Sequence, residues 1–504
     1  MKKNLFLIFL IPFFSISQTK IGNDIDGKAG GDESGYSISL SSDGSIIAIG
    51  SPKNNNSDGN YNSGLVQIYK NVSGTWTQIG RDIEGETNND ESGYSVSLSA
   101  DGSVVAIGAP NHRGANGSDS GHVSIYKYTS PDLWVLMGNN IDGEMAYDQS
   151  GYSVSLSSDD GSIVAIGAPN HRGANGSNSG HVRVYKYESS SDAWTQIGNN
   201  IDGEAYGDKS GSCVSLSANG SIVAIGAPNH RGVNGPDSGH VIVYQSTPSG
   251  WKKMGNAIDG KAYGDKSGFS ISLSADGSVV AIGAPNHRGI NGSNSGHVRI
   301  YKYISNDWTQ IGLDIGGEAH SDESGSSVSL SNDGSVVAIG AIYNNGDNGL
   351  TSRSGHVRIY RNISGNWKLQ GNDIDGEAYN DKSGSSVSLS NDGSVVAIGA
   401  IGNRGDSSLS NSGHTRVYDL STLLSSDTFV LSQFRLFPNP SKGQTTIKLN
   451  KGLTLEKISI YNNFDQFIQS TQKEVIDTSS LSTGVYYVQV VTNKGKATKK
   501  LVIK

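Results

Sequence analysis

A unit of 57 to 59 residues recurs seven times between about Gln18 and Leu420, and no other feature constrains the fold as strongly. An Asp-Gly or Asn-Gly pair tracks it, with the glycine at positions 44, 102, 161, 220, 277, 334 and 393. Each unit carries four strand signals. In the second copy these are the alternating run Ser95 to Ser99, the apolar run Val104 to Ala109, the mixed run His122 to Tyr128, and a run from Trp134 to about Ile141. The Asp-Gly pair between the first two reads as a two-residue hairpin turn. The second run is apolar on both faces, which predicts burial on both. Four antiparallel strands per unit of this length predict one propeller blade per copy, hence an all-β, seven-bladed β-propeller.

The ends of the array predict how the ring closes. Trp occurs once in each of the first six copies, at 76, 134, 194, 251, 308 and 367. The seventh copy stops after its third strand at Arg416-Val417-Tyr418, while Gln18-Thr19-Lys20-Ile21-Gly22 aligns with Trp76-Thr77-Gln78-Ile79-Gly80. The N-terminal segment is therefore expected to complete the last blade and cover its exposed edge.

Composition agrees with the repeat. Gly makes up 67 of 504 residues, and the turns of seven copies absorb that excess. Gly is costly inside helices, so a helical bundle is excluded. A single Cys excludes a disulfide framework and a cysteine-based zinc site. Cys213 stands where other copies have Ser37, Ser95, Ser153, Ser270, Ser327 and Ser386, which reads as a buried small residue, not a nucleophile.

Both ends of the chain read as addresses. Met1-Lys2-Lys3, the apolar run Leu5 to Phe14 and the small residues that follow form a secretory signal, with cleavage expected between Ser17 and Gln18. That run is too short for a membrane span, and no later apolar segment is long enough. The organisation expected is a signal peptide (1–17), a propeller (18–424), and a linker with a C-terminal domain (425–504). Residues 430–504 carry 11 basic and 4 acidic groups, whereas residues 18–429 carry 26 and 43. A propeller this acidic disfavours nucleic acid as a partner.

Two resemblances attach to these residues. The repeated pattern, as in Asp90-Glu91-Ser92-Gly93-Tyr94-Ser95-Val96-Ser97-Leu98 with Gly121-His122-Val123, resembles the FG-GAP repeats of integrin α-chain propellers. The Phe-Gly pair is Ser-Gly here, and the calcium loop of that family is reduced to one acid, as in Ser99-Ala100-Asp101-Gly102. Calcium takes six to eight oxygens, more than these turns offer. At the other end, Phe437-Pro438-Asn439-Pro440, Leu481-Ser482-Thr483-Gly484-Val485-Tyr486-Tyr487 and the basic last strand resemble the type A sorting domain of type IX secretion substrates in Bacteroidetes. That resemblance implies a small Ig-like β-sandwich and passage through the periplasm and across the outer membrane by the type IX machinery. It further implies release of the mature protein or attachment to the cell surface.

The connections between second and third strands and those between blades share one face, which is the candidate binding face. Asp32, Asp90, Asp148, Asp208, Asp265, Asp322 and Asp381 lie on it, two residues before each Ser-Gly. Asp90, Asp148, Asp208 and Asp265 are candidate metal ligands, for Ca²⁺ in particular, although an Asp in every copy fits a turn cap better. His112, His171, His230 and His287 each precede a second His, at 122, 181, 240 and 297, with nine residues between; they read as solvated or hydrogen-bonded loop residues. The loops Asn54 to Asn62, Tyr343 to Arg353 and Asn403 to Asn411 depart from the consensus, and ring closure would put their blades side by side. They form the candidate binding patch, with Asn54, Asn60, Tyr61, Tyr343, Asn345, Arg353, Arg404 and Asp406 as contact residues. The tripeptide Arg404-Gly405-Asp406 aligns with Asn-His-Arg-Gly of other copies and reads as drift in one of them.

No nucleophile motif, phosphate loop or HExxH segment is present, and no acid/base set is confined to one copy. The expected function is non-enzymatic and needs no cofactor: a secreted or surface-attached propeller that binds an extracellular glycan or protein, in the manner of an adhesin. The alternatives are a polysaccharide-degrading enzyme using the same face and a structural surface component. An axial pocket equipped with acids and bases would favour the enzyme, and one without them would favour binding.

Overall fold

The structure is a computed structural model that describes residues 18–129, 132–346, 353–405, 410–424, 434–449, 453–462, 467–492 and 495–504. The chain divides into two compact units, Thr19–Asp419 and Leu420–Lys504. Among the described residues, one turn of helix (Ser421–Leu424) accompanies an otherwise all-β chain. No helix among them is long and apolar enough to cross a membrane. Ser17 lies outside the described residues.

The larger unit is a propeller-like assembly of repeated antiparallel sheets, seven of them with five strands each. In chain order they are sheets 1 to 7. Sheet 2 shows the plan: Ser95–Leu98, Val104–Ala109, His122–Thr129, Leu133–Leu136 and Ile141–Asp142. The expected fourth strand is two strands, both paired with His122–Thr129. The reason is Gly138, whose φ of 67° breaks the strand between Leu136 and Ile141. The Asp-Gly connection also differs from a two-residue turn. Ser99 N donates to Val104 O (2.9 Å) and Gly102 N to Ser99 O (2.9 Å), which leaves four residues in the loop. Asp101 holds that loop by accepting from the Ser99 hydroxyl (2.7 Å) and the Ser103 amide (2.9 Å).

The sheets follow one another through their first strands, and Ser37–Leu40 of sheet 1 touches the first strand of sheet 7 as well as that of sheet 2. The Ser-x-Ser-x-Ser pattern explains how. A first strand has no strand partner on its inner edge, so its amides and carbonyls need other partners. The first Ser donates to a carbonyl of the next sheet: Ser37 to Gly93 (2.7 Å), Ser95 to Gly151 (2.8 Å), and finally Ser386 to Gly35 (2.7 Å). The second Ser accepts from the next sheet: Ser39 Oγ from Leu98 N (3.0 Å), and so on around to Ser388 Oγ from Leu40 N (3.0 Å). The third Ser anchors its own loop, as Ser99 does. Two of every three serines thus join neighbouring sheets.

Cys213 interrupts the first of these ladders. Its sulfur lies 3.9 Å from the Ile271 carbonyl, and burial pushes the thiol up to about 11, so it stays protonated and unreactive. Cys213→Ser should restore a hydrogen bond to Gly268 O and raise stability by about 1 kcal/mol. The check is thermal melting of the two proteins; an unchanged or lower Tm would show that no such bond forms.

Apolar cores lie between sheets. Val104, Val123 and Ile125 of sheet 2 pack with Val154, Val164 and Ile166 of sheet 3. Each Trp packs toward the preceding sheet and adds a hydrogen bond there, Trp134 Nε1 to Ile79 O at 3.0 Å and Trp194 Nε1 to Met137 O at 2.8 Å. In sheet 7 the fourth and fifth strands come from the N-terminus: Thr19–Lys20 pairs with Asp419 and Tyr418, and Ile25–Asp26 with Thr415 and His414.

The smaller unit has two antiparallel sheets. One is Phe434–Phe437, Gln444–Leu449 and Val475–Asp477; the other is Phe467–Thr471, Leu455–Asn462, Gly484–Thr492 and Gly495–Ile503. They share one apolar core that includes Phe434, Ile447, Ile460, Val488 and Leu501. Asn439 ties the opening motif to the last strand, donating to Lys500 O (2.7 Å) and accepting from Val502 N (2.9 Å).

Candidate binding sites on the long-loop face

The repeated Asp caps its turn and does a second job. Asp90 Oδ2 accepts from the Glu86 and Thr87 amides (3.1 and 2.6 Å), and Oδ1 from the Thr87 hydroxyl (2.6 Å). His112 Nδ1 lies 3.1 Å from the same carboxylate. Burial would raise the Asp90 pKa, but hydrogen bonds from His112 and Thr87 outweigh it and hold the group below the usual carboxylate range. Asp148, Asp208 and Asp265 make the same imidazole contact, with His171, His230 and His287, each at 3.0 Å. The four carboxylates named as Ca²⁺ candidates are therefore engaged by turn amides and imidazoles, not by a shell of oxygens.

The loop histidines His171, His230 and His287 are hydrogen-bonded, as expected, and each is also half of a stacked pair. His171 stacks on His181 with centroids 3.8 Å apart, and the pairs His112/His122, His230/His240 and His287/His297 do the same at 4.0, 3.8 and 3.8 Å. Burial, reinforced by the neighbouring imidazole, pushes His122 and His240 down to about 4 and His181 to about 2, so the inner member of each pair is neutral. The sequence signal for stacking was the identical spacing in four copies.

Sheets 1, 6 and 7 carry the divergent loops and are consecutive around the cycle. Asn54, Asn344 and Asn403 replace the first His there. Asn54 is buried, and the half-buried Asn60 donates its amide to Glu86 O (3.2 Å), so both help to hold their loop. Tyr61, Asn345, Arg353 and Arg404 are exposed, and Arg353 lies over the Tyr343 ring at 5.4 Å. Asp406 lies outside the described residues. In sheet 7 the divergent loop borders a cavity of about 320 Å³, with Asp24, Asp26, Glu377, Tyr379, Arg404 and His414 in its wall.

A second cavity, about 520 Å³, is lined by the first strands of all seven sheets. The residue after each Ser-Gly faces it, and this position breaks the sevenfold symmetry: Tyr36, Tyr94 and Tyr152, then Ser212, Phe269, Ser326 and Ser385. The three tyrosines form a continuous arc, with ring centroids 4.8 and 4.9 Å apart and planes tilted by 47° and 46°. Burial pushes the Tyr36 phenol up to about 12. Phe269 is half exposed, and Lys209 and Lys266 complete that side, with Lys266 bonded to Asn229 Oδ1 (2.8 Å). No Asp, Glu or His is among the described residues lining this cavity. The sequence hides this cavity because each Tyr looks like an ordinary repeat position until the strands converge.

Residues 435–504 match the family described as the secretion system C-terminal sorting domain. The smaller unit is a type IX sorting domain. It marks the chain for export to the cell surface or the extracellular space, and it implies contact with the type IX machinery. No curated protein matches the chain. Similar solved structures include a candidate 6-phosphogluconolactonase from Bacteroides uniformis, 13% identical, covering 69% of this chain and 87% of that one with a TM-score of 0.47. Another is the hydrazine synthase of Kuenenia stuttgartiensis, 12% identical, covering 75% of this chain and 94% of that one, also at 0.47. Likeness at that level says nothing of chemistry.

Proposed function

We propose that the protein works outside the cell as a seven-bladed, FG-GAP-like propeller that binds an extracellular glycan at its axial cavity, by recognition and not by catalysis. The observation that carries this reading is the composition of that cavity: an arc of tyrosines and a phenylalanine facing serines, lysines and asparagine, with no carboxylate or imidazole in the described wall. Hydrolysis or elimination of a polysaccharide needs a positioned acid and base. Stacking on sugar faces needs aromatic rings, and hydroxyl recognition needs small polar groups. A volume of about 520 Å³ accommodates one or two sugar rings. The divergent loops Tyr61, Asn345, Arg353 and Arg404 extend the exposed polar surface of the same face.

The test is a glycan array with the full secreted chain, followed by titration of the best glycan. Tyr94→Ala removes the middle ring of the arc and should weaken binding about tenfold or more, a change of about 1.4 kcal/mol. Tyr94→Phe keeps the ring and should retain most of the affinity. A silent array, or full binding by Tyr94→Ala and Phe269→Ala together, would sink the proposal.

A further inference from the structure

Sheets 6 and 7 differ from their neighbours in the ligands they gather: the groups in sheets 3 to 5 (Glu144, His171, His181; Glu204, His230, His240; Asp265, His287, His297) set one acid beside two imidazoles that are stacked on each other, whereas those in sheets 6 and 7 set two acids beside one unstacked imidazole. In sheets 2 to 5 the first imidazole covers the strand-start histidine by stacking. In sheets 6 and 7 Asn344 and Asn403 stand in its place and turn to the capping carboxylates, donating to Asp322 Oδ2 (3.2 Å) and Asp381 Oδ2 (3.1 Å). The strand-start residues His356 and His414 thus lose their stacking partner. Two acids converge on each instead. Asp24, Glu377 and His414 place one ligand atom apiece within 4.8 Å of one another, and so do Glu318, His356 and Asp373.

The sheet 7 set has the room an ion needs, because Asp24, Glu377 and His414 all line the cavity of about 320 Å³. His414 Nδ1 lies 3.9 Å from Asp24 Oδ2 and 3.9 Å from Asp26 Oδ1. Cations also approach these acids: Lys20 bonds Asp24 Oδ1 (2.6 Å), and Arg416 lies 3.2 Å from Glu377 Oε1. Arg404 also borders the cavity. A tetrahedral Zn²⁺ site spaces its ligands roughly 3.4 Å apart, given metal–ligand bonds near 2.1 Å. The half-exposed Glu377 and part-exposed Asp24 need move only slightly to reach that spacing.

We propose that Asp24, Glu377 and His414 bind a divalent cation of the Zn²⁺ class, and that Glu318, His356 and Asp373 form a second site of the same design. One imidazole and two carboxylates with an open fourth position suit zinc, whereas calcium asks for oxygens alone and more of them. The sheet 7 site also clamps the closure of the ring. Asp24 belongs to the N-terminal segment, Glu377 follows the last strand of sheet 6 (Ile374–Asp375), and His414 opens the third strand of sheet 7. The ion therefore ties together three pieces of chain that meet only when the cycle is complete.

The test is calorimetric titration of the full, tag-free chain, stripped of metal, with Zn²⁺ and in parallel with Ca²⁺. The expected result is two Zn²⁺ per chain with micromolar or tighter Kd, a rise in Tm on loading, and no comparable Ca²⁺ binding. Asp24→Asn and, separately, Glu377→Gln should each lower the count to one and shrink the Tm rise, while Asp373→Asn removes the other equivalent. Glu144→Gln, beside a stacked histidine pair, should leave the count at two. Asp24→Asn also loses the Lys20 pair and Glu377→Gln the Arg416 pair, so the Zn²⁺ count of the two variants decides the matter, not their metal-free Tm. No Zn²⁺ binding, equal Ca²⁺ binding, or a count that ignores both variants would overturn the assignment.

Discussion

Deleting residues 435–504 should reduce the extracellular protein to background and leave the truncated chain inside the outer membrane. This is read by fractionating cells and blotting the periplasm, the surface and the medium. The expectation follows from a unit with its own core, since Phe434, Ile447, Val488 and Leu501 are buried in one cluster. Removing it takes the export address without cutting a sheet of the larger unit. A finer version spares the chain length. Asn439→Ala loses both bonds to the last strand, Lys500 O and Val502 N, and each such loss costs about 1 kcal/mol. The opening motif would then detach from the basic strand, and export should fall while the repeat unit stays folded. Normal export of the chain lacking 435–504 would mean that the address lies elsewhere.

The repeat was legible because its physics is local. Alternating Ser-Val-Ser-Leu-Ser and doubly apolar Val-Val-Ala-Ile-Gly-Ala each report the number of faces a strand buries, and both were found where expected, as Ser95–Leu98 and Val104–Ala109. The expected fourth strand is two because Gly138-Asn139-Asn140 interrupts the stretch from Trp134 to Ile141, and the positive φ of Gly138 divides it there. The sites were less legible than the strands. That Asp90 caps a turn follows from Asx chemistry within one copy. That His112 stacks on His122, or that Tyr36, Tyr94 and Tyr152 touch in series, depends on distances across a loop or between sheets, and such distances do not exist in a one-dimensional reading. The same holds for Asp24, Glu377 and His414, which come from opposite ends of the repeat array.

Removing residues 18–26 should destabilise the larger unit by about 5 kcal/mol, the sum of one core side chain and several strand bonds. These residues supply the last two strands of sheet 7. Ile25 is buried in the core between sheets 7 and 1, beside Ile47, Ile49 and Val417. The Ile21 carbonyl receives the Trp76 indole N–H at 2.9 Å, and Ile21 N donates to Val417 O at 2.7 Å. Without the segment, His414–Asp419 becomes an open edge, and open edges pair with other chains. Two readouts should move together: a marked fall in Tm and the appearance of soluble aggregates by light scattering. Ile25→Ala isolates the core contribution and should cost about 3 kcal/mol on its own. Lys20→Ala is the control, because an exposed i,i+4 pair with Asp24 contributes little and its loss should leave Tm within a degree or so. If the shortened chain melts like the full one, the cycle of sheets stands without its N-terminal strand, and closure through Thr19–Asp26 is not what holds it.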